Sequence, residues 1–170
     1  HIGLGHLVRC MALADRLSNY GQVHFLLSAS SAEAALKLGV SHQLLVPEAF
    51  SFDTARALIP QLSPGDWVII DHYGLNQAYL DVLKAADIGT IQINDLPDQA
   101  LAPFAILNHC PNLTPRNFSP ETPKPTHWLL GLEWLLLRSP FPSLIANPPE
   151  NGDGLFLCFG GTSSGGQLQK

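Results

Sequence analysis

The order of strand and helix signals predicts an α/β protein, a parallel sheet with helices on both faces. Three observations carry this. Short apolar runs alternate with amphipathic stretches along most of the chain. A glycine-rich turn, Gly3-Leu4-Gly5-His6, opens directly into the first helical pattern. The run Asp66-Trp67-Val68-Ile69-Ile70-Asp71 has the length and the apolar content of a strand buried on both faces.

Leu7, Cys10, Met11, Ala14 and Leu17 recur at helical spacing and Asn19-Tyr20-Gly21 supplies a stop, so residues 6–19 are expected as a helix. A strand over 23–27, a helix over 32–38 closed by Gly39, and a strand over 43–46 follow. Pro60 weakens the last turn of a helix expected over 53–62, because proline removes a backbone donor and clashes with the preceding turn. Ser63-Pro64-Gly65 turns the chain into the strand 66–71. A helix over 76–86 and strands over 89–93 and 104–107 complete the alternation.

Residues 111–127, rich in Pro, Thr and Asn, are expected as a long irregular loop. A second proline-rich stretch, 139–149, precedes the strand signal Leu155-Phe156-Leu157-Cys158-Phe159, which runs into Gly160-Gly161-Thr162. The expectation is one domain over 1–145 that lacks its first strand, since a glycine turn opening a helix normally follows a strand. A linker and the beginning of a second domain are expected over 146–170.

Of the 170 residues 46% are hydrophobic and 14% charged, the composition of a packed interior rather than of a disordered chain. A net charge of −5 with nine Lys and Arg, none clustered, argues against nucleic acid, whose binding rests on grouped cations. It leaves room for one small anion held by backbone N–H groups at a helix N-terminus. The apolar stretches around 67–70 and 128–137 fall short of the ~20 residues of a membrane span. Cys10, Cys110 and Cys158 are far apart and odd in number, and no leader pattern opens the chain, so a reducing cytoplasm is expected. His1, His24, His42 and His127 show no metal-ligand spacing, and neither a metal nor a cofactor is expected.

Gly3 and Gly5 stand where backbone must turn tightly and approach a ligand, with a helix N-terminus beyond. His6 lies at the lip of that turn, where the positive end of the helix keeps an imidazole neutral and available as a general base; the alternative is a capping or solvent-facing histidine. Arg9, one turn on, can meet a carboxylate or phosphate. Asp71-His72-Tyr73 and Asn94-Asp95 follow consecutive strands, and open parallel sheets bind ligands outside the carboxyl ends of their strands. These groups are expected to converge with His6 on one edge; the alternative is that Asp71 caps a turn and His72 packs under it. His109, at the end of the strand 104–107, could join the same edge, but a lone histidine before Cys-Pro is more often structural and it is left outside the expected site. Gly160-Gly161-Thr162 is a candidate phosphate cradle from the second domain, or a simple turn.

In order along the chain, Ile2-Gly3-Leu4-Gly5-His6 through Arg9-Cys10, Val68-Ile69-Ile70-Asp71-His72-Tyr73, Asn94-Asp95-Leu96, Ile106-Leu107-Asn108, Leu130-Gly131, Leu136 through Phe141 and Phe159-Gly160-Gly161-Thr162 form a set. That set resembles the UDP-sugar hydrolases of pseudaminic acid biosynthesis, which act on a UDP-activated diacetamido-trideoxy altrose, and their relatives in spore coat polysaccharide biosynthesis. The resemblance implies the N-terminal half of a GT-B type enzyme of two Rossmann-like domains, the sugar near the first and UDP held largely by the second, the C-terminal domain of the same protein. It implies His6 as the base that activates water, with Asp71 and Tyr73 beside the sugar, and no metal. Glycosyl transfer on the same fold and nucleotide-sugar binding without turnover are the alternatives. The chain departs from the family pattern at Asn94, where an acidic residue is usual, at Trp134 in place of tyrosine, and after Thr162, where Asp-Pro is usual.

Overall fold

The structure is a computed structural model, and it describes residues 4–41, 43–46, 50–96, 101–118, 125–139 and 141. Gly3, the linker beyond Phe141, the strand signal 155–159 and Gly160-Gly161-Thr162 lie outside the described residues.

The described chain is α/β with parallel strands. In order, the elements are α1 (Leu4–Leu17), β1 (Phe25–Leu27), α2 (Ala29–Lys37), β2 (Gln43–Leu45), α3 (Phe52–Leu58), β3 (Trp67–Ile70), α4 (Gln77–Ala85), β4 (Gly89–Ile93), β5 (Ala105–Asn108) and β6 (His127–Leu130). β1 and β2 pair as a two-stranded sheet, while β3-β4-β5-β6 form a second sheet in sequential order with every neighbour parallel.

The chain divides into two compact units. One takes the described residues up to Phe25, from Ser31 to Gln43 and from Leu136 on; the other takes 26–30 and 44–135.

In the first unit α1 begins at Leu4, earlier than the expected residue 6, and takes Gly5 and His6 into its first turn. Gly5 is not among the glycines with positive φ, and a Cβ built on it would meet nothing within 4 Å. The tight-turn role expected of Gly5 is therefore corrected: its backbone is one that any residue adopts, and the space beside it is open.

The second unit holds the four-stranded sheet. Ser51 caps α3 reciprocally with Thr54, satisfying donors that the first helical turn leaves without partners. At Pro60 the helix gives way to a 3-10 turn over Ile59–Gln61, as expected from a residue without an N–H. Asn76 caps α4, its Oδ1 accepting from the Tyr79 N–H at 3.0 Å. Beyond α4 the chain reverses through Asp87 at φ 59, with the Ile88 N–H bonded to the Leu83 carbonyl at 3.0 Å, and enters β4.

α3 and α4 pack on one sheet face, where Ala55, Leu58, Leu80 and Leu83 close over Val68 and Ile70. Two expectations need correction. β3 is not buried on both faces: Trp67 is 52% exposed and Ile69 half-buried, because the helices of this unit's core cover the Val68 and Ile70 side. The stretch 111–127 runs at its last residue into a strand, β6, formed by His127 and the start of the apolar stretch 128–137. Within that stretch Pro115–Asn117 also form a capped 3-10 turn.

Candidate functional site

Because all four strands of the larger sheet are parallel, the residues after β3, β4 and β5 leave it at a common edge, the carboxyl ends of the strands, where open parallel sheets take ligands. Asp71, His72 and Tyr73 follow β3, Asn94 and Asp95 follow β4, and His109 follows β5. Five of these six were expected on this edge from the sequence.

The Tyr73 hydroxyl donates to Asp95 Oδ2 at 3.3 Å and links the ends of β3 and β4. His72 folds back on its own loop, its Nδ1 accepting the Gly74 N–H at 2.8 Å, which leaves the neutral ring with its proton on Nε2. Gly74 makes this possible, since a Cβ there would lie 2.9 Å from His72 Cε1. The other side of His72 meets the Phe50 ring at a centroid distance of 4.6 Å, and Phe50 in turn meets Tyr79 edge-on at 4.9 Å. Asn76 Nδ2 donates to the Phe50 carbonyl, so the residue that caps α4 also holds the Phe50 segment against the loop. Burial pushes the Tyr79 phenol above its ordinary value, because the phenolate is poorly solvated there.

Asn94 is the most unusual member of the edge. It is 2% exposed, and neither Oδ1 nor Nδ2 has a hydrogen-bond partner. Its backbone is held, the N–H bonding to the Leu107 carbonyl at 2.9 Å. Thr90, Gln92 and Asn94 make a buried polar row at every second position of β4 and just beyond it; the register sets Thr90 beside Val68, and Gln92 between Ile70 and Ile106. Thr90 is satisfied by the Phe104 N–H at 3.1 Å, and Asn108, at the end of β5, accepts the Cys110 N–H at 2.9 Å. His109 Nδ1 is buried without a partner.

His6 and Arg9 belong to the first unit. An Arg9 guanidinium nitrogen lies 3.1 Å from His6 Nδ1. A guanidinium only donates, so Nδ1 accepts and the neutral His6 ring carries its proton on Nε2. Gly5 is exposed beside them.

Sequence reading gave no role to Gly74 or to the Asn76 side chain, and it set His109 aside as structural although it stood at the end of an expected strand. Asn76 stood in plain view as the residue before a helical pattern, whereas its reach to Phe50 spans 26 positions and left no local signal. Among the described residues no group of three His, Cys, Asp or Glu side chains could hold a metal ion, and no helix is long and apolar enough to cross a membrane. No protein-family model matches the chain, and no curated protein matches it either.

Proposed function

We propose that this chain carries the sugar-side, Rossmann-like domain of a GT-B type enzyme that hydrolyses a UDP-activated diacetamido-trideoxy sugar. The observation that supports this best is the common edge of the parallel sheet, where Asp71, His72, Tyr73, Asn94 and Asp95 follow two adjacent strands. The ordered motifs from Gly3 to Thr162 supply the choice of substrate, and GT-B architecture and a C-terminal UDP-binding domain are part of the same proposal.

In the reaction, water attacks the anomeric carbon, the bond from that carbon to the diphosphate oxygen breaks, and UDP leaves with the electron pair. The water proton passes to His6. With Arg9 on Nδ1, the basic nitrogen of His6 is the one already occupied by a donor. An incoming diphosphate draws the Arg9 guanidinium to itself, since a charge-assisted bond to an anion is stronger than one to neutral imidazole, and this releases the lone pair. Substrate binding and activation of the base are thereby coupled. Asp71 and Tyr73 orient the sugar; Gly3, Gly160, Gly161 and Thr162 are assigned to the phosphates.

The test is UDP release from the UDP-activated diacetamido-trideoxy altrose without any acceptor, beside His6→Ala. Release reduced about 10²–10⁴-fold in the variant supports a hydrolase with His6 as base. Release only when an acceptor sugar is added moves the chain to glycosyl transfer, and binding without release in either form marks a binding module.

A further inference from the structure

Buried carboxamides normally satisfy both their oxygen and their nitrogen, because neither atom recovers in an apolar interior the hydrogen bonds that water offered. Asn94 satisfies neither, while 2% exposed. Gln92 Oε1, in the same polar row, also lacks a hydrogen-bond partner, but Thr90 and Gln92 lie within β4, whereas Asn94 lies just beyond it, at the edge where parallel sheets take ligands, and has both polar atoms unmet. At the end of the adjoining strand β5, His109 Nδ1 is a second buried nitrogen without a partner. The register that sets Ile93 beside Leu107 carries on to Asn94 beside Asn108 and puts His109 one step further on, so Asn94 is the fully orphaned carboxamide at this strand end and His109 lies at the end of the adjoining strand.

We propose that Asn94, at the end of β4, forms a subsite that reads an uncharged ligand group presenting a donor and an acceptor side by side. This deepens the proposed function and rests on that reading for the choice of a sugar as ligand. A carboxamide offers one acceptor oxygen and one donor nitrogen in a plane, the complement of an acylamino group or of two adjacent hydroxyls. It carries no charge, so it rewards neither an anion nor a cation, and a site closed to water penalises both. The phosphates of a nucleotide sugar are therefore excluded from this place, and the sugar ring is what fits. The exposed Tyr73–Asp95 contact, long for an O–H···O bond at 3.3 Å, ties the ends of β3 and β4.

A group kept for a ligand at the expense of the free fold leaves a signature in stability. Asn94→Leu, close in shape and without polar atoms, is expected to raise the melting temperature of the full chain by about 2–5 °C, since it removes unmet hydrogen bonds and keeps the volume. A lower melting temperature would show a structural amide and overturn the proposal. The second measurement needs only the native protein. The side-chain amide signals of Asn94, identified by their loss in Asn94→Leu, are followed by NMR during titration with millimolar N-acetylglucosamine, glucose and UDP. Movement with N-acetylglucosamine and none with UDP is expected. A shift with glucose as well assigns a hydroxyl pair, and a shift with N-acetylglucosamine alone assigns the acylamino group. No movement with either sugar overturns the subsite. An intact Asn94 shift without UDP release from the nucleotide sugar would reject the proposed reaction and keep the subsite; UDP release without an Asn94 shift would do the reverse.

Discussion

The hydroxyl of Tyr73 and the carboxylate of Asp95 are hydrogen-bonded across the ends of β3 and β4, 22 positions apart in the chain and 3.3 Å apart in space. The bond is exposed, and exposed neutral-to-charged contacts at this length contribute little to stability. Tyr73→Phe is accordingly expected to change unfolding free energy by less than about 0.5 kcal/mol while slowing UDP release at least tenfold. Urea denaturation and steady-state kinetics on the same preparation separate the two; a stability loss matching the activity loss would make Tyr73 a structural residue.

Asn76 performs two tasks with one side chain, the α4 cap through Oδ1 and the Phe50 carbonyl through Nδ2. Asn76→Ala should destabilise by about 1–2 kcal/mol, since both bonds are lost from a half-buried place. Asn76→Asp keeps the cap acceptor and removes the donor. It should recover part of that loss in chemical denaturation; full recovery would show that the Phe50 contact adds nothing.

Gly5 lies in the first turn of α1 with open space where a Cβ would stand. Gly5→Ala is expected to leave stability unchanged or raise it by up to about 1 kcal/mol, through the higher helix propensity of alanine. If that space receives a ligand phosphate, the same change lowers affinity for UDP-sugar. Paired calorimetric unfolding and binding titration read both effects, and unchanged binding would remove Gly5 from the site.

At the opposite edge of the sheet Gly89 lies under Trp67, where a Cβ would come within 2.6 Å of the indole ring. Gly89→Ala should cost about 1–3 kcal/mol by displacing the ring, and the penalty should shrink when Trp67→Ala is made in the same chain. Additive effects in that double-mutant cycle would mean that the ring does not rest on Gly89.

Tyr79 carries the pH prediction. Its phenol is raised above the ordinary value of 10.0 by burial, so the folded state holds that proton more tightly than the unfolded chain. The corresponding stability is fully present below pH 10 and is lost as the pH rises through the folded value. Melting temperatures recorded from pH 9 upward should fall for the native chain and fall less for Tyr79→Phe; parallel curves would exclude Tyr79 as the cause.

Much of this architecture was legible in local chemistry. The Leu7 to Leu17 spacing marks α1, Pro60 marks where α3 changes to a tighter turn, and the apolar run 67–70 marks β3. Such features follow from a residue's own backbone limits and from periodicities that span a few positions. The placement of Asp71, Tyr73, Asn94 and Asp95 on one edge was also legible, because strand ends in a parallel sheet all point the same way.

Long-range packing settled the rest. Thr90, Gln92 and Asn94 alternate with Ile91 and Ile93, a pattern that by itself suits a strand with one polar face, yet they are 4%, 1% and 2% exposed, in keeping with the sheet expected to be covered on both faces. β3 carries the opposite lesson, its continuous apolar run leaving Trp67 half in solvent. Alternation along a strand states which side chains share a face. Whether that face meets water depends on which segments cross over it, and those are set by the sum of contacts between residues far apart in the chain. The unmet hydrogen bonds of Asn94 and His109 arise from that same sum, and no window of neighbouring residues contains them.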